Sequence, residues 1–119
     1  MYQAMVVDDE EYILKALKRT INTYTDWEVE TYQDPHEALR RARTTVFDAV
    51  ITDYMMPEMN GLELLQELRD LQPDTIRIVL TGVIDIETVM SAINKAGAFR
   101  LIPKPWDDDQ LLDNIREGL

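Results

Sequence analysis

The sequence has no cysteine, which excludes disulfides, thiolate metal sites and cysteine nucleophiles. It has no apolar run near the ~20 residues that cross a bilayer. The opening segment, MYQAMVVDDEE, lacks a basic leader, and four successive acids stop its apolar stretch, so it reads as neither signal peptide nor membrane span. A cytoplasmic location is the expectation that follows. Gly/Ser linkers and low-complexity tracts are also missing. Residues 1–119 therefore read as one domain, long enough to bury about two-thirds of its unfolded surface without a covalent staple. Basic residues are scarce: 12 Lys and Arg stand against 23 Asp and Glu, for a net charge of −11. Such a balance repels nucleic-acid phosphates and anionic lipid surfaces, which argues against direct binding to either. Most of these acids need no role beyond solvating the surface; position singles out the others.

What the chain does have is a regular alternation of short β-rich runs with helical patterns. It predicts an α/β fold, a five-stranded and mostly parallel sheet with helices on both faces. A first strand from Gln3 to Val7 leads into a helix from Glu11 to Tyr24, with Leu14, Leu17 and Ile21 on one stripe. A second strand, Glu28 to Tyr32, ends at a helix start in which Asp34 is the N-cap, Pro35 the first helical residue and Glu37 the partner in a capping box. His36, the only histidine, falls in that exposed turn with no metal partners and reads as structural. A third strand, Ala49 to Thr52, is short and wholly apolar up to its last residue and runs into Asp53. Asn60 then caps a helix carrying Leu62, Leu65 and Leu68, which Pro73 stops. A fourth strand, Ile76 to Leu80, closes on Thr81-Gly82. Asp85 caps a helix using Ile86, Val89, Met90 and Ile93, ended by Gly97. The last strand, Phe99 to Ile102, is followed by Pro103-Lys104-Pro105 and a final helix with Leu111, Leu112 and Ile115.

Ligands of open parallel sheets bind beyond the carboxyl ends of the strands. Four of the five strands deliver a charged or hydroxyl side chain there: Asp8 and Asp9, Asp53, Thr81 and Lys104. Carboxylates crowded into one crevice repel by about 4 kcal/mol per close pair at an effective dielectric near 20. Lys104 supplies one compensating charge, and a hard divalent cation would supply two. All-oxygen donors suit Mg²⁺, or Mn²⁺ in its place. The plainer alternative is that Asp8 and Asp9 only begin the first helix, where carboxylates favour the dipole, and that Thr81 is an ordinary strand-end residue. The same group meets the needs of phosphoryl transfer to a carboxylate: Asp53 as nucleophile, Asp8 and Asp9 on a metal, Thr81 as hydroxyl donor, and Lys104 as counter-charge on a rigid Pro-flanked turn.

Val6-Val7-Asp8-Asp9-Glu10, Asp53-Tyr54-Met55-Met56-Pro57-Glu58-Met59-Asn60-Gly61, Thr81-Gly82 and Lys104-Pro105 occur in this order over the whole chain. Together they resemble the four signatures of the receiver domain of bacterial two-component response regulators. The resemblance implies the chemotaxis-type, flavodoxin-like fold with strand order 2-1-3-4-5. It implies phosphoryl transfer to Asp53 from the phosphohistidine of a sensor histidine kinase or phosphotransfer protein. Mg²⁺ would be held by Asp9 and Asp53, by the Met55 carbonyl, and by Asp8 through water, and the acyl phosphate would hydrolyse itself. Activity would be self-catalysed phosphotransfer rather than enzymatic turnover.

The resemblance also assigns roles to less obvious positions. The side chains two beyond Asp53 and Thr81, Met55 and Val83, would flank the attacking water. Both are apolar, so autodephosphorylation is expected to be slow. Three residues before Lys104, where such domains often carry Tyr or Phe, this chain has Leu101, which puts the usual Thr81-aromatic switch in question. A population shift of the face formed by the fourth helix, fifth strand and final helix would still relay the signal. On the first helix, Ile13, Ala16 and Thr20 form a second stripe beside the core stripe, and the resemblance makes Tyr12, Ile13, Ala16 and Thr20 the positions expected to dock the kinase; the alternative is that Ile13 only widens the core stripe. Phosphorylation-dependent dimerisation, and an output domain or downstream protein as the receiver of the signal, remain open. The Leu101 to Asp107 stretch is similar to receivers joined to cyclic-dinucleotide phosphodiesterase or kinase outputs.

Rival readings meet specific obstacles. A flavin carrier on this fold needs a Gly/Ser/Thr phosphate loop after the first strand, and four acids stand there. An aspartate-nucleophile phosphatase or phosphomutase would carry a second acid two residues after Asp53, where Met55 stands. A receiver reduced to a binding module would have lost part of the acid, hydroxyl and lysine set.

Overall fold

The computed structural model describes residues 1–82, 87, 90, 94 and 100–119. In chain order the elements are β1 (Gln3–Val7), α1 (Glu11–Tyr24), β2 (Glu28–Tyr32), α2 (Pro35–Ala42), β3 (Ala49–Asp53), α3 (Gly61–Leu71), β4 (Ile76–Thr81), β5 (Arg100–Pro103) and α4 (Asp108–Gly118). The strands form one sheet of order β2-β1-β3-β4-β5, and all four pairings are parallel. This is the doubly wound, flavodoxin-like arrangement that the alternation of elements predicts.

The period of two along each strand divides the core between the sheet's faces. Met5, Val7, Val50 and Val79 join Ala38, Leu39, Leu64, Leu65 and Leu68 under α2 and α3. Val6, Ile51, Ile78 and Leu80 join Leu14, Leu17, Ile21, Leu111, Leu112 and Ile115 under α1 and α4. Every residue of β3 is buried, as a central strand covered on both sides requires. At the edge, β2 carries Glu28 and Glu30, charges that discourage pairing with another chain; Glu30 is held by Arg41 at 2.9 Å.

Several boundaries depart from the sequence reading. The third and fourth strands each run one residue further, taking in Asp53 and Thr81, because both still pair with a neighbouring strand. Asp34 caps α2 by accepting from the His36 N–H at 2.9 Å, and Asn60 caps α3 through the Glu63 N–H. Met90, assigned to an apolar stripe, is 46% exposed. Asp85, Ile86, Val89, Ile93, Gly97 and Phe99 lie outside the described residues.

At the amino edge of the sheet Gln72, just past α3, is buried and fully bonded. Its Nε2 donates to the carbonyls of Ala42 and Thr45, both at 2.6 Å. Its Oε1 accepts from the Phe47 N–H and the Thr75 hydroxyl, both at 2.9 Å. One side chain thereby ties the α2–β3 loop to the α3–β4 loop and holds β3 at its start.

Candidate functional site

The opposite, carboxyl edge gathers the acids. Asp8 follows β1, its N–H held by the Tyr32 carbonyl at 3.1 Å. Its buried carboxylate accepts from the Glu10 N–H at 2.9 Å through Oδ1 and from Lys104 Nζ at 3.0 Å through Oδ2. Asp53 ends β3, with the next N–H, that of Tyr54, donating to the Leu80 carbonyl. Its Oδ1 lies 2.9 Å from Lys104 Nζ. The backbone N–H of Lys104 donates to the Thr81 carbonyl at 2.9 Å, so the β4–β5 ladder aims the lysine at the acids. Asp9, nearer the solvent, completes a triad whose ligand oxygens lie within 4.8 Å of one another. The loop after Asp53 folds back tightly: the Gly61 N–H donates to the Tyr54 carbonyl, and a Cβ on Gly61 would collide with the Asp53 carbonyl oxygen. Only glycine fits there.

Charge is poorly balanced in this crevice. Burial pushes the Asp53 carboxyl above its ordinary value, Lys104 draws it back, and Asp9 pushes it up again. Burial also raises Asp8, against the Glu10 N–H and Lys104, with the Asp53 charge adding to the rise. For Lys104 burial acts downward, but hydrogen bonds to Asp53 and Asp8 and their charges outweigh it and hold the ammonium above its ordinary value. Three carboxylates facing one ammonium leave two negative charges over. A set of hard oxygens with that excess fits a divalent cation of the Mg²⁺ or Mn²⁺ kind.

The profile of the family described as response regulator receiver domain matches residues 4–116. The chain belongs to this family. The transcriptional regulatory protein FixJ of Rhizobium meliloti is 35% identical over 117 residues, covering 98% of this chain and 56% of FixJ. The hydrogenase transcriptional regulatory protein HoxA of Cupriavidus necator is 34% identical over 115 residues, 97% of this chain and 23% of HoxA. Among solved structures, chemotaxis protein CheY4 of Vibrio cholerae has a TM-score of 0.91 at 30% identity, covering 100% of this chain and 99% of that one. This receiver thus spans from about a quarter to about half the length of these curated relatives. Receivers are signalling domains of two-component systems, and no helix among the described residues is long and apolar enough to cross a membrane.

The other positions singled out in the sequence divide. Thr81, buried at the end of β4, sits on the same edge as the acids and pairs with Pro103. Met55 is 61% exposed in the loop after Asp53. Leu101 is half-buried against the core cluster under α2 and α3. Val83 lies outside the described residues. On α1, Tyr12, Ile13 and Ala16 line a groove of 740 Å³ whose far wall is Lys104, Pro105 and Trp106. Ile13 also packs on the core, so it does widen the core stripe as well. The Tyr12 phenol is exposed, and a hydrogen bond to the Glu10 side chain, with that group's charge, holds it above its ordinary value.

Thr20 lines the same groove; it is only 8% exposed, and its hydroxyl donates to Asp108 Oδ1 at 3.1 Å. One reading needs correction. His36 was read as having no possible metal partners; the structure sets its Nε2 3.7 Å from Glu58 and brings Asp34 into the same group. Glu58 comes from the loop after β3, a tertiary neighbour that local sequence does not reveal. The sequence reading also missed Trp106 and Asp108; a tryptophan directly after Lys104-Pro105 and before three aspartates was the available signal.

Proposed function

We propose that residues 1–119 act as one cytoplasmic receiver unit that takes a phosphoryl group from a phosphohistidine onto Asp53. The observation that carries this is the Asp53 carboxylate at the end of a buried strand, 2.9 Å from Lys104 Nζ and grouped with Asp8 and Asp9. A carboxylate oxygen of Asp53 attacks phosphorus, the P–N bond breaks with its electron pair leaving on the imidazole, and an acyl phosphate remains. Lys104 balances charge on the phosphoryl oxygens, and the Thr81 hydroxyl donates to one of them. The carboxylates of Asp8, Asp9 and Asp53 with the Met55 carbonyl would hold Mg²⁺ or Mn²⁺, which when bound supplies positive charge to the transferred group. The reaction is a single self-catalysed transfer followed by hydrolysis, not turnover of a separate substrate.

The groove between α1 and the β5–α4 loop is lined in part by Lys104, whose Nζ lies 2.9 Å from the phosphoacceptor's Oδ1. That continuity favours a helix of the phosphohistidine-bearing partner as its occupant, read by Tyr12, Ile13, Ala16 and Thr20. Met55 and Val83 offer no group to orient an attacking water, so hydrolysis is slow. Leu101 replaces an aromatic switch with an aliphatic contact, and a shift in the packing around β5 relays the state to an output domain, a downstream protein or a second copy. FixJ and HoxA are named as transcriptional regulators, which favours a transcriptional output.

Incubation with acetyl phosphate and Mg²⁺, followed by intact mass, tests the core of this reading. One added phosphoryl group is expected, absent in Asp53→Asn and in chelator. No adduct under any condition would leave only a binding module. A phosphoryl half-life as short as that of the fastest chemotaxis receivers would refute the role given to Met55 and Val83.

A further inference from the structure

Asp108 Oδ1 is shared by two donors, the Thr20 hydroxyl of α1 at 3.1 Å and the Trp106 indole N–H at 3.0 Å. Trp106 is pinned on its other side, because its ring packs on the core cluster that includes Leu111, Leu112 and Ile115. The indole is therefore fixed twice, by apolar contact and by a hydrogen bond to an ionised acceptor, a bond stronger than a neutral one. With Lys104 and Pro105 it forms one wall of the 740 Å³ groove, with α1 opposite. Asp108 thus joins the two walls at one atom. The Lys104 ammonium is bonded to Asp8 and Asp53, and among the described residues no ion pair or hydrogen bond joins the Asp108 carboxylate to it.

We propose that Asp108 is a positioning residue for partner docking: by accepting from both the Trp106 indole and the Thr20 hydroxyl, it fixes the groove along which a protein phosphodonor is aligned with Asp53. This rests on the phosphoacceptor reading above and deepens it by naming the device that sets donor affinity. The occupant is the helix of a phosphohistidine-bearing protein, since a small donor reaches Asp53 without filling a groove of this volume. Loss of the carboxylate frees the indole to sample other rotamers, and a partner must then order it on binding. The penalty falls on encounter with the protein donor and not on the chemical step.

The test compares two donors on the full chain. The protein donor is the autophosphorylated catalytic core of a sensor histidine kinase, selected from a panel by transfer to the wild-type chain; the small donor is phosphoramidate. Asp108→Ala is expected to raise KM for the kinase roughly tenfold, the scale of one lost charge-assisted hydrogen bond. The kcat and the phosphoramidate rate stay at wild-type values, and the latter also reports an intact fold. Asp108→Asn, which keeps an Oδ1 acceptor, stays within about twofold of wild type on the same scale. Trp106→Ala matches Asp108→Ala, and the double variant adds little, as coupled partners do. In a Trp27→Phe background, where Trp106 is the remaining tryptophan, Asp108→Ala lowers fluorescence anisotropy. Unchanged KM in Asp108→Ala with active kinase transfer to wild type overturns this inference alone. Labelling by phosphoramidate with no transfer from any kinase core overturns the docking reading and the inference with it. No labelling by either donor removes the phosphoacceptor reading itself.

Discussion

Asp53 and Asp8 are ionised at a cost, since burial, and after it the charge of a neighbouring carboxylate (Asp9 for Asp53, Asp53 for Asp8), raise both groups. A raised folded-state pKa contributes stability below the unfolded value, and that contribution is lost as pH rises through the folded value. At neutral pH the acids therefore strain the metal-free fold, and neutralising one relieves it. Asp53→Asn is expected to melt a few degrees above wild type at pH 7 in chelator, with the gap closing as pH falls into the carboxylate range. Calorimetric scans at several pH values check this; a lower melting temperature for Asp53→Asn at pH 7 would contradict it. Lys104 is raised as well, so its contribution is present at neutral pH and fades only in strong alkali. Gly61 makes a second prediction at this scale. A methyl group there meets the Asp53 carbonyl, so Gly61→Ala should cost about 1–3 kcal/mol, the usual range for overpacking, and slow phosphorylation by moving the strand end. Urea unfolding and mass-resolved labelling measure the two effects, and full stability with a wild-type labelling rate would show that the loop has room.

The elements show which parts of the molecule local sequence can express. Leu14, Leu17 and Ile21 of α1, and Leu111, Leu112 and Ile115 of α4, were readable because a buried helix face repeats every 3.6 residues. Asp8, Asp53, Thr81 and Lys104 were readable because strand ends in a parallel sheet share one edge, whatever their separation in the chain. Thr20 and Asp108 are 88 residues apart and have no such rule to join them. Gln72 is another case: it reads as a polar residue at a helix end, yet four hydrogen bonds converge on it. Removing it strands buried carbonyl and N–H groups at about 1–3 kcal/mol each before relaxation. Gln72→Ala should therefore lower unfolding free energy by about 3 kcal/mol or more without altering the slope against urea. A loss under about 0.5 kcal/mol, the range of an ordinary surface change, would mean that the loops hold one another without it.

Across the molecule, strand order reverses between β2-β1 and β3-β4-β5, and the acids sit where that reversal opens the sheet edge. The net charge of −11 makes this edge part of a generally negative surface, so cation binding and protein stability are expected to move together. Adding Mg²⁺ at pH 7 should raise the melting temperature of wild type in a concentration-dependent way, with a smaller or no rise in Asp53→Asn. Equal shifts in both proteins would point to general screening of negative charge instead.

One carboxylate joins the two ends of this design. Asp8 gives one oxygen to Lys104 and the other to the Glu10 N–H, directly ahead of α1. The charge on Asp8 is thus also a constraint on where that helix sets out. Were the crevice and the helix flank coupled through Asp8, a cation bound in the first would change the flank's affinity for a partner by the same factor as that partner changes the cation's affinity.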